Sequence, residues 1–250
     1  MSITNRQTGT RIDEIANGIY RISTPVPPNP ALPPGFTFNQ FLIAADEPLL
    51  FHTGPRPMFA LVREAIRAVL PPESLRYIGF SHAEGDECGS LDEWLALAPR
   101  AVPLCSQVAA MTFANGATNR ETRALAHGDR VDLGGREVTW FDAPHVPHGW
   151  DCGFIGEVTT RTLFCGDLFT QAGAEHPPLT EGDILGPSEA MRAMMDYYSH
   201  GPNTRETLER MAGFEPRVLA CMHGSAFAGD GKKALLELAD ALMTRRVLAA

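Results

Sequence analysis

The sequence lacks an apolar run long enough to cross a membrane, for which roughly 18 or more consecutive apolar residues are needed. Its first residues, Met1 to Glu14, are polar and lack the charged-then-apolar pattern of a secretory leader. Basic residues are also few, since 21 Lys and Arg face 30 Asp and Glu, for a net charge of −9. We therefore expect a cytoplasmic protein that binds neither a membrane nor a nucleic acid.

Cysteine is sparse and scattered along the chain. None of the five cysteines forms a CxxC pair: Cys88, Cys105, Cys152, Cys165 and Cys221. Thiolate zinc sites and iron–sulfur clusters need more closely spaced cysteines, so neither is predicted. In a cytosolic chain these residues are expected to be reduced and mostly buried.

Apolar residues follow the periods of both strands and helices. Phe36–Ile43 and Pro48–Phe51 have strand patterns, and a helical stripe then runs from Val62 to Leu70. Paired strand patterns from Arg130 to Cys165 predict two β-hairpins, and a helical pattern returns from Ser188 to Tyr198. This order predicts two layered α/β halves within one domain, residues 1–250.

Residues able to bind a metal follow several of the predicted apolar strands. Any one of them has an ordinary explanation as a hydrogen-bonded histidine, a helix cap or a solvated carboxylate. Their recurrence at successive strand ends, where α/β proteins place their sites, indicates a shared centre. The candidates are His82, Glu84, Asp86, Glu87, His145, His148, Asp167 and His223.

The order of these motifs resembles the metallo-β-lactamase superfamily. The chain reads HxExDE, then HxP, then GD after an apolar strand, then a late HG. The resemblance implies an α+β fold, the αββα four-layer sandwich. Hydrolases of the superfamily usually read HxHxDH in the first motif, whereas this chain has Glu84 in the middle position. That departure resembles the flavodiiron proteins and the related oxygen-binding diiron proteins.

The resemblance implies a pair of metal ions with separate ligand sets. The first ion would be bound by His82, Glu84 and His145, and Asp167 would bridge it to the second. The choice of metal is iron, because carboxylate oxygen suits iron or manganese while imidazole suits iron and zinc alike. Zinc and manganese remain the alternatives.

The second ion would be bound by Asp86 and His223. The last position of the first motif is normally histidine in this family but is Glu87 here. Glu87 either binds the ion through oxygen or lies behind the ligands. His52 stands where the superfamily commonly has the aspartate of a DTG motif, and we expect it to support the site or the fold without binding metal.

Other residues near the motifs have less defined roles. His148 is expected either to donate a proton above the metals or to orient a carboxylate. Phe169 and Trp150 either enclose a small pocket for a diatomic ligand or pack in the core. We assign Tyr197 to helix packing, without a chemical role.

The favoured function is binding or reduction of O2, or of NO, at the diiron site. In the resembled family, FMN in a following flavodoxin domain supplies electrons. The sequence ends at Ala250 and contains no glycine-rich phosphate loop after a strand. We therefore expect no bound flavin in this chain, and a flavoprotein or rubredoxin-like donor acting in trans. The sequence does not decide the oligomeric state, and a homodimer is one of the alternatives.

Two further functions are kept as alternatives. A two-metal hydrolase would use zinc or manganese to generate a hydroxide that attacks an ester, thioester, lactone or phosphodiester. A scaffold without turnover would keep the ligands but fold fully without metal. Glu84 argues against the hydrolase, since nearly all hydrolytic relatives have histidine at that position.

Overall fold

The computed structural model of the protein describes residues 2–30 and 32–248, with side chains described as far as residue 244. Met1, Ala31 and residues 249–250 lie outside the described part, so the predicted domain range of 1–250 is covered except for these. Most of the described chain is organised as two β-sheets with helices on their outer faces.

The first sheet contains eight strands that neighbour one another in chain order. The first five strands pair antiparallel, and the fifth to the eighth pair parallel. Consecutive parallel strands therefore end at the same edge of the sheet. The strands are β1 (Ser2–Asn5), β2 (Thr10–Ala16), β3 (Ile19–Val26), β4 (Phe36–Ile43), β5 (Leu49–Phe51), β6 (Tyr77–Gly79), β7 (Val102–Ser106) and β8 (Arg123–Leu125).

The second sheet contains seven strands in the spatial order β13, β15, β14, β12, β11, β10, β9. The two hairpins predicted from the sequence, β9–β10 and β11–β12, lie next to each other at one end of this order. Strand β12 pairs parallel with β14. Because of these directions, β10, β12 and β14 end at one edge. The strands are β9 (Arg130–Asp132), β10 (Glu137–Asp142), β11 (Gly153–Glu157), β12 (Thr162–Phe164), β13 (Leu179–Thr180), β14 (Val218–Ala220) and β15 (Ala226–Ala228).

The helices cover the outer faces and connect the strands. A π-helical turn, Ala110–Ala114, lies between the two shortest α-helices. No helix in the described ranges is both long and apolar enough to cross a membrane. The α-helices are α1 (Phe59–Arg67), α2 (Gly85–Cys88), α3 (Leu91–Leu97), α4 (Gln107–Ala109), α5 (Asn115–Ala117), α6 (Leu185–Met194), α7 (Thr204–Ala212) and α8 (Gly231–Leu248).

Three apolar clusters fill the spaces between the layers. The central cluster joins the sheets, with Phe41 and Phe51 from the first facing Trp140 and Phe164 from the second. A second cluster packs α1 and α3 on the first sheet, and a third packs α7 and α8 on the second. Full burial of a side chain such as Phe41 contributes about 1.5–3 kcal/mol to the free energy of unfolding. Because many such side chains are buried between the layers, the two sheets are held in a fixed relative position.

Candidate metal centre

The loop that follows β6 supplies the first group of donors. It runs from the buried end of the strand through His82 and Glu84 into the short helix α2, whose first turn contains Asp86 and Glu87. Carboxylates are favourable in the first turn of a helix because unpaired N–H groups give it partial positive charge. His82 and Glu87 are buried, whereas the side chain of Glu84 is half-exposed. The loop thus delivers four donors to one edge of the first sheet.

The edge of the second sheet supplies the remaining donors. His148 lies in the loop between β10 and β11, Asp167 follows β12, and His223 follows β14. These strands end at the same edge, which faces the loop after β6. Asp167 and His223 are buried, and His148 is partly exposed. Donors that are distant in the sequence therefore meet between the two sheets.

Four donor atoms converge to form the first candidate metal position. Nε2 of His148 lies 3.0 Å from Nε2 of His82 and 3.2 Å from Oε1 of Glu84. Oδ2 of Asp167 lies 3.5 Å from Nε2 of both histidines. Two ring nitrogens that face each other this closely, beside two carboxylates, have the arrangement expected around a cation. Donor atoms of His82, Glu84 and His148 lie close enough together to share one metal, and Asp167 forms a second such group with His82 and Glu87.

The second candidate position lies on the other side of Asp167. Nε2 of His223 is 3.3 Å from Oδ1 of Asp167 and 3.4 Å from Oδ2 of Asp86. Glu87 has an oxygen close enough to share a metal with Asp86 and His223. Asp167 therefore presents Oδ2 to the first position and Oδ1 to the second, the geometry of a bridging carboxylate.

Hydrogen bonds orient all three imidazoles through Nδ1. The ring of His148 donates to the carbonyl oxygen of Tyr197 at 2.9 Å, and that of His223 donates to the carbonyl oxygen of Thr37 at 2.8 Å. Nδ1 of His82 lies 3.0 Å from Oγ of Ser81. Metal-binding histidines usually donate the second ring N–H in this way, which leaves the Nε2 lone pair free for the ion.

His145, a ligand expected from the resemblance, does not join this cluster of side chains. Its side chain is exposed, and none of the donor groups found among the described residues includes it. Its carbonyl oxygen accepts a hydrogen bond from Ser199, and the following turn directs the ring of His148 inward. The position expected for His145 beside His82 and Glu84 is therefore occupied by His148, which was assigned a different role from the sequence.

The charges of the site favour bound cations. Burial and the neighbouring charges of Asp167 and Asp86 raise the pKa of Glu87 well above its ordinary value. Burial opposes protonation of the rings, but the nearby carboxylates outweigh it and raise the pKa of His148 and of His223 to about 9. Without metal, protons thus offset part of the negative charge.

Unpaired buried oxygens test whether the residues fit a metal. Among the described residues, no hydrogen-bond partner reaches either buried carboxylate oxygen of Glu87 or Oδ1 of Asp167. Leaving such groups unpaired is costly, and a cation between them would compensate each one. With three imidazoles and four carboxylates but no thiolate among them, the residues fit two ions that favour mixed nitrogen and oxygen ligands.

A cavity of about 180 Å³ opens above the donors. Its walls include Phe36, Thr170, Met191, Met195 and Tyr197. This volume suits a small ligand better than an extended substrate. A larger cavity, about 590 Å³, lies elsewhere in the molecule, but the metal-binding atoms converge at the smaller one, so we place the chemistry there.

Of the two roles left open for Phe169 and Trp150, pocket lining is not the one the structure shows. Phe169 is fully buried in the core and Trp150 is 60% exposed, and neither is among the residues lining this cavity. Tyr197, assigned to packing from the sequence, lines the cavity and also orients His148 through its carbonyl oxygen. A main-chain acceptor leaves no mark in the sequence, so its role could not be predicted.

Comparison with known proteins identifies a family. Residues 36–224 match the family described as ODP family beta lactamase. The chain is 31% identical over 183 residues to the putative diflavin flavoprotein A 2 of Nostoc sp., covering 71% of this chain and 30% of that protein. It is 25% identical over 215 residues to the rubredoxin-oxygen oxidoreductase of Megalodesulfovibrio gigas, covering 79% of this chain and 50% of that one. The chain thus spans between about a third and a half of these curated relatives.

Solved structures agree on the fold. The rubredoxin oxygen:oxidoreductase of Desulfovibrio gigas superposes with a TM-score of 0.79 at 22% identity, over 92% of this chain and 61% of that one. A fragment of the putative diflavin flavoprotein A 5 of Nostoc sp. gives 0.80 at 17% identity, over 95% and 98%. These likenesses confirm the predicted metallo-β-lactamase fold. The chain belongs to the ODP family of β-lactamase-like proteins.

Proposed function

We propose that this chain binds two iron ions and reduces O2, or NO, with electrons from a separate redox protein. The observation that carries the proposal is the bridging geometry of Asp167, whose two oxygens face two separate sets of imidazole and carboxylate donors. Residues 1–250 would act as one metallo-β-lactamase-like domain. The oxidoreductase names of relatives such as the rubredoxin-oxygen oxidoreductase support the same class of reaction.

In this proposal His82, Glu84 and His148 bind the first iron. Asp86, Glu87 and His223 bind the second, and Asp167 binds both. When bound, the two irons supply the electrons and the coordination positions at which the small ligand is reduced. The four carboxylates balance the charge of two ferrous ions, so the loaded site is close to neutral within a largely buried setting.

The residues around the metals have distinct tasks in the proposal. Phe36, Met191 and Tyr197 enclose the small cavity and limit the water that reaches the ligand. Main-chain carbonyls hold His148 and His223 in the orientation that metal binding requires. Glu84 lies at the rim, half-exposed, where a carboxylate can pass protons between solvent and the cavity.

A flavoprotein or a rubredoxin-like protein is the proposed electron donor. The names of two relatives, a putative diflavin flavoprotein and a rubredoxin-oxygen oxidoreductase, refer to a flavin and to rubredoxin. Both are groups that carry electrons. The hydrolase and scaffold alternatives have no comparable support among these relatives, so we do not pursue them as functions. Zinc and manganese remain the metals against which iron is tested.

Anaerobic loading with Fe(II), followed by mixing with O2, tests the proposal. We expect about two irons per chain, rapid oxygen uptake and a new near-ultraviolet absorption band. Zinc-loaded protein should take up no oxygen. The matched variant Asp167→Ala should retain about one iron or none and lose the uptake. Two bound irons that ignore O2, together with ester cleavage by zinc-loaded protein, would replace the proposal with the hydrolase.

A further inference from the structure

A chain of polar contacts runs beneath the first metal position. Nδ1 of His82 lies 3.0 Å from Oγ of Ser81, and the same oxygen lies 3.0 Å from Nε2 of His52. Nδ1 of His52 lies 3.0 Å from the sulfur of Met222. All four side chains are buried. The chain therefore begins at a proposed ligand and ends at the residue preceding another, His223.

The thioether fixes the direction of these hydrogen bonds. A methionine sulfur can only accept, so the nitrogen of His52 that faces Met222 must carry the ring proton. Burial lowers the pKa of His52 to about 3, so the ring is neutral and has one N–H. Its Nε2 is then an acceptor, and the hydroxyl of Ser81 donates to it. Having used its one proton, Ser81 can only accept from His82.

The His82 end of this chain of hydrogen bonds requires the same direction from donor to acceptor. If Nε2 of His82 binds a metal it carries no proton, and the ring N–H must be on Nδ1. That N–H donates to Ser81, as the argument from Met222 also requires. Two separate considerations, one from sulfur and one from the metal position, thus assign the same tautomers to His82 and His52.

The surrounding backbone holds this arrangement in place. His52 follows β5 with φ of 66°, a left-handed conformation that is uncommon for residues other than glycine. Its amide donates to the carbonyl oxygen of Gly79 at 2.8 Å. Gly166 leaves space beside this hydroxyl, because a Cβ at that position would lie only 3.3 Å from Oγ of Ser81. Because the chain ends on a thioether, it cannot carry protons to solvent.

We propose that Ser81 and His52 are positioning residues that lock His82 in the Nδ1–H tautomer through an uncharged chain of hydrogen bonds. Neither Ser81 nor the neutral ring of His52 carries a charge, so this chain of hydrogen bonds places no negative charge behind His82. A neutral partner raises the reduction potential of that metal relative to an anionic one. The reduction-potential part rests on the proposed diiron function, whereas the tautomer part requires only a bound metal.

Three variants separate these effects. Ser81→Ala removes the acceptor and should weaken metal binding at one of the two positions by about 10- to 100-fold. His52→Asn keeps a neutral acceptor and should bind both metals with an almost unchanged potential. His52→Asp differs from His52→Asn chiefly in charge, so it should bind both metals at a potential lower by at least about 59 mV, a tenfold change for one electron.

Zinc makes the tautomer test independent of redox function. In the zinc-loaded protein, long-range nitrogen–proton NMR should show His82 protonated at Nδ1, and titration should show the lost affinity in Ser81→Ala. Circular dichroism verifies that each variant folds. Unchanged zinc affinity in folded Ser81→Ala, or a proton on Nε2 of His82, overturns the inference; failure of iron-loaded protein to take up O2 overturns only the proposed function. If Ser81→Ala does not fold, equal potentials in the two His52 variants overturn the charge argument.

Discussion

At the scale of single residues, the loop between β10 and β11 shows how a fold selects between similar side chains. His145 and His148 are three positions apart, yet one ring is exposed and the other lies 3.0 Å from His82. The selecting group is the carbonyl oxygen of Tyr197, which holds Nδ1 of His148 from 49 positions along the chain. The fold therefore decides which of the two rings lies among the candidate donors.

Substitution of each histidine in turn should separate their roles. We expect His148→Ala to reduce the metal content from about two ions per chain to about one, because the first position loses a nitrogen donor. His145→Ala is the matched control and should retain both ions. Elemental analysis after anaerobic loading with Fe(II) measures the difference. The reverse pattern would return His145 to the ligand set.

Glu87 offers a second test at this scale. Its carboxylate is buried and lacks hydrogen-bond partners among the described residues, and the resemblance noted in the sequence implies histidine at this position. Glu87→His should keep both metals, because imidazole can serve as the donor there. Glu87→Gln keeps the volume but removes the charge, and should lose about one ion per chain. If Glu87→Gln retains both ions at the same affinity, Glu87 is not a ligand.

At the scale of elements, β11 carries part of the support for the site. The amide of Gly153 donates to the carbonyl oxygen of Ser81 at 2.9 Å, which ties the second sheet to the loop after β6. The ring of Trp140 lies directly over this glycine, so a Cβ there would meet the ring at 2.1 Å. Close approach of Trp140 thus depends on glycine at one position of the strand.

Replacement of this glycine should destabilise the fold. Gly153→Ala forces the buried ring of Trp140 to move, and overpacking of this kind costs about 1–3 kcal/mol. Gly116→Ala is the control, since nothing lies within 4 Å of a Cβ there, and it should be neutral or stabilising by up to about 1 kcal/mol. Denaturant unfolding of the metal-free proteins measures both. Equal stabilities would show that Trp140 repacks freely.

Elements with a clear apolar period could be predicted from the sequence, and those built from polar residues could not. Phe36–Ile43 was predicted and is β4. The strand β2 was not predicted, because Thr10 and Asp13 are buried polar residues that obscure its alternation. The helix expected to continue to Tyr198 ends as α6 at Met194, which frees the Tyr197 carbonyl for His148. Contacts between residues distant in the sequence determine that β2 forms and that α6 ends at Met194.

The same distinction applies to the proposed site. The positions of His82, Asp167 and His223 at strand ends were expected from the sequence, and the structure brings both histidines next to Asp167. The tautomer chain through Ser81 and the orienting carbonyls could not be predicted, since they depend on contacts between residues far apart in the chain.

At the scale of the whole molecule, the donors join the two sheets. His82, Glu84, Asp86 and Glu87 come from the first, and the remaining proposed ligands come from the second. Binding to the folded state alone stabilises it by about 4 kcal/mol when free metal is about 1,000 times Kd. A bound pair of ions should therefore act on global stability as well as on chemistry.

Removal of metal should lower the melting temperature. For a chain of this size about 4 kcal/mol corresponds to a fall of roughly 10 °C. Calorimetry before and after anaerobic chelation measures the change. Asp167→Ala, which should retain about one ion or none, should show a smaller fall on chelation than the wild-type protein. An unchanged melting temperature in metal-loaded wild-type protein would mean that the two halves hold together without the ions.

The hydrogen bonds to the three imidazoles have an evolutionary consequence. Two rings are oriented by the carbonyl oxygens of Thr37 and Tyr197, and a main-chain carbonyl exists whatever amino acid the gene encodes there. Mutational drift at those positions can leave the orientation of the rings intact. His82 depends on a hydroxyl, which disappears if the codon for Ser81 changes. If the two metals bind as proposed, a change of residue 81 therefore alters the first one through His82, whereas His223 at the second keeps its orienting carbonyl.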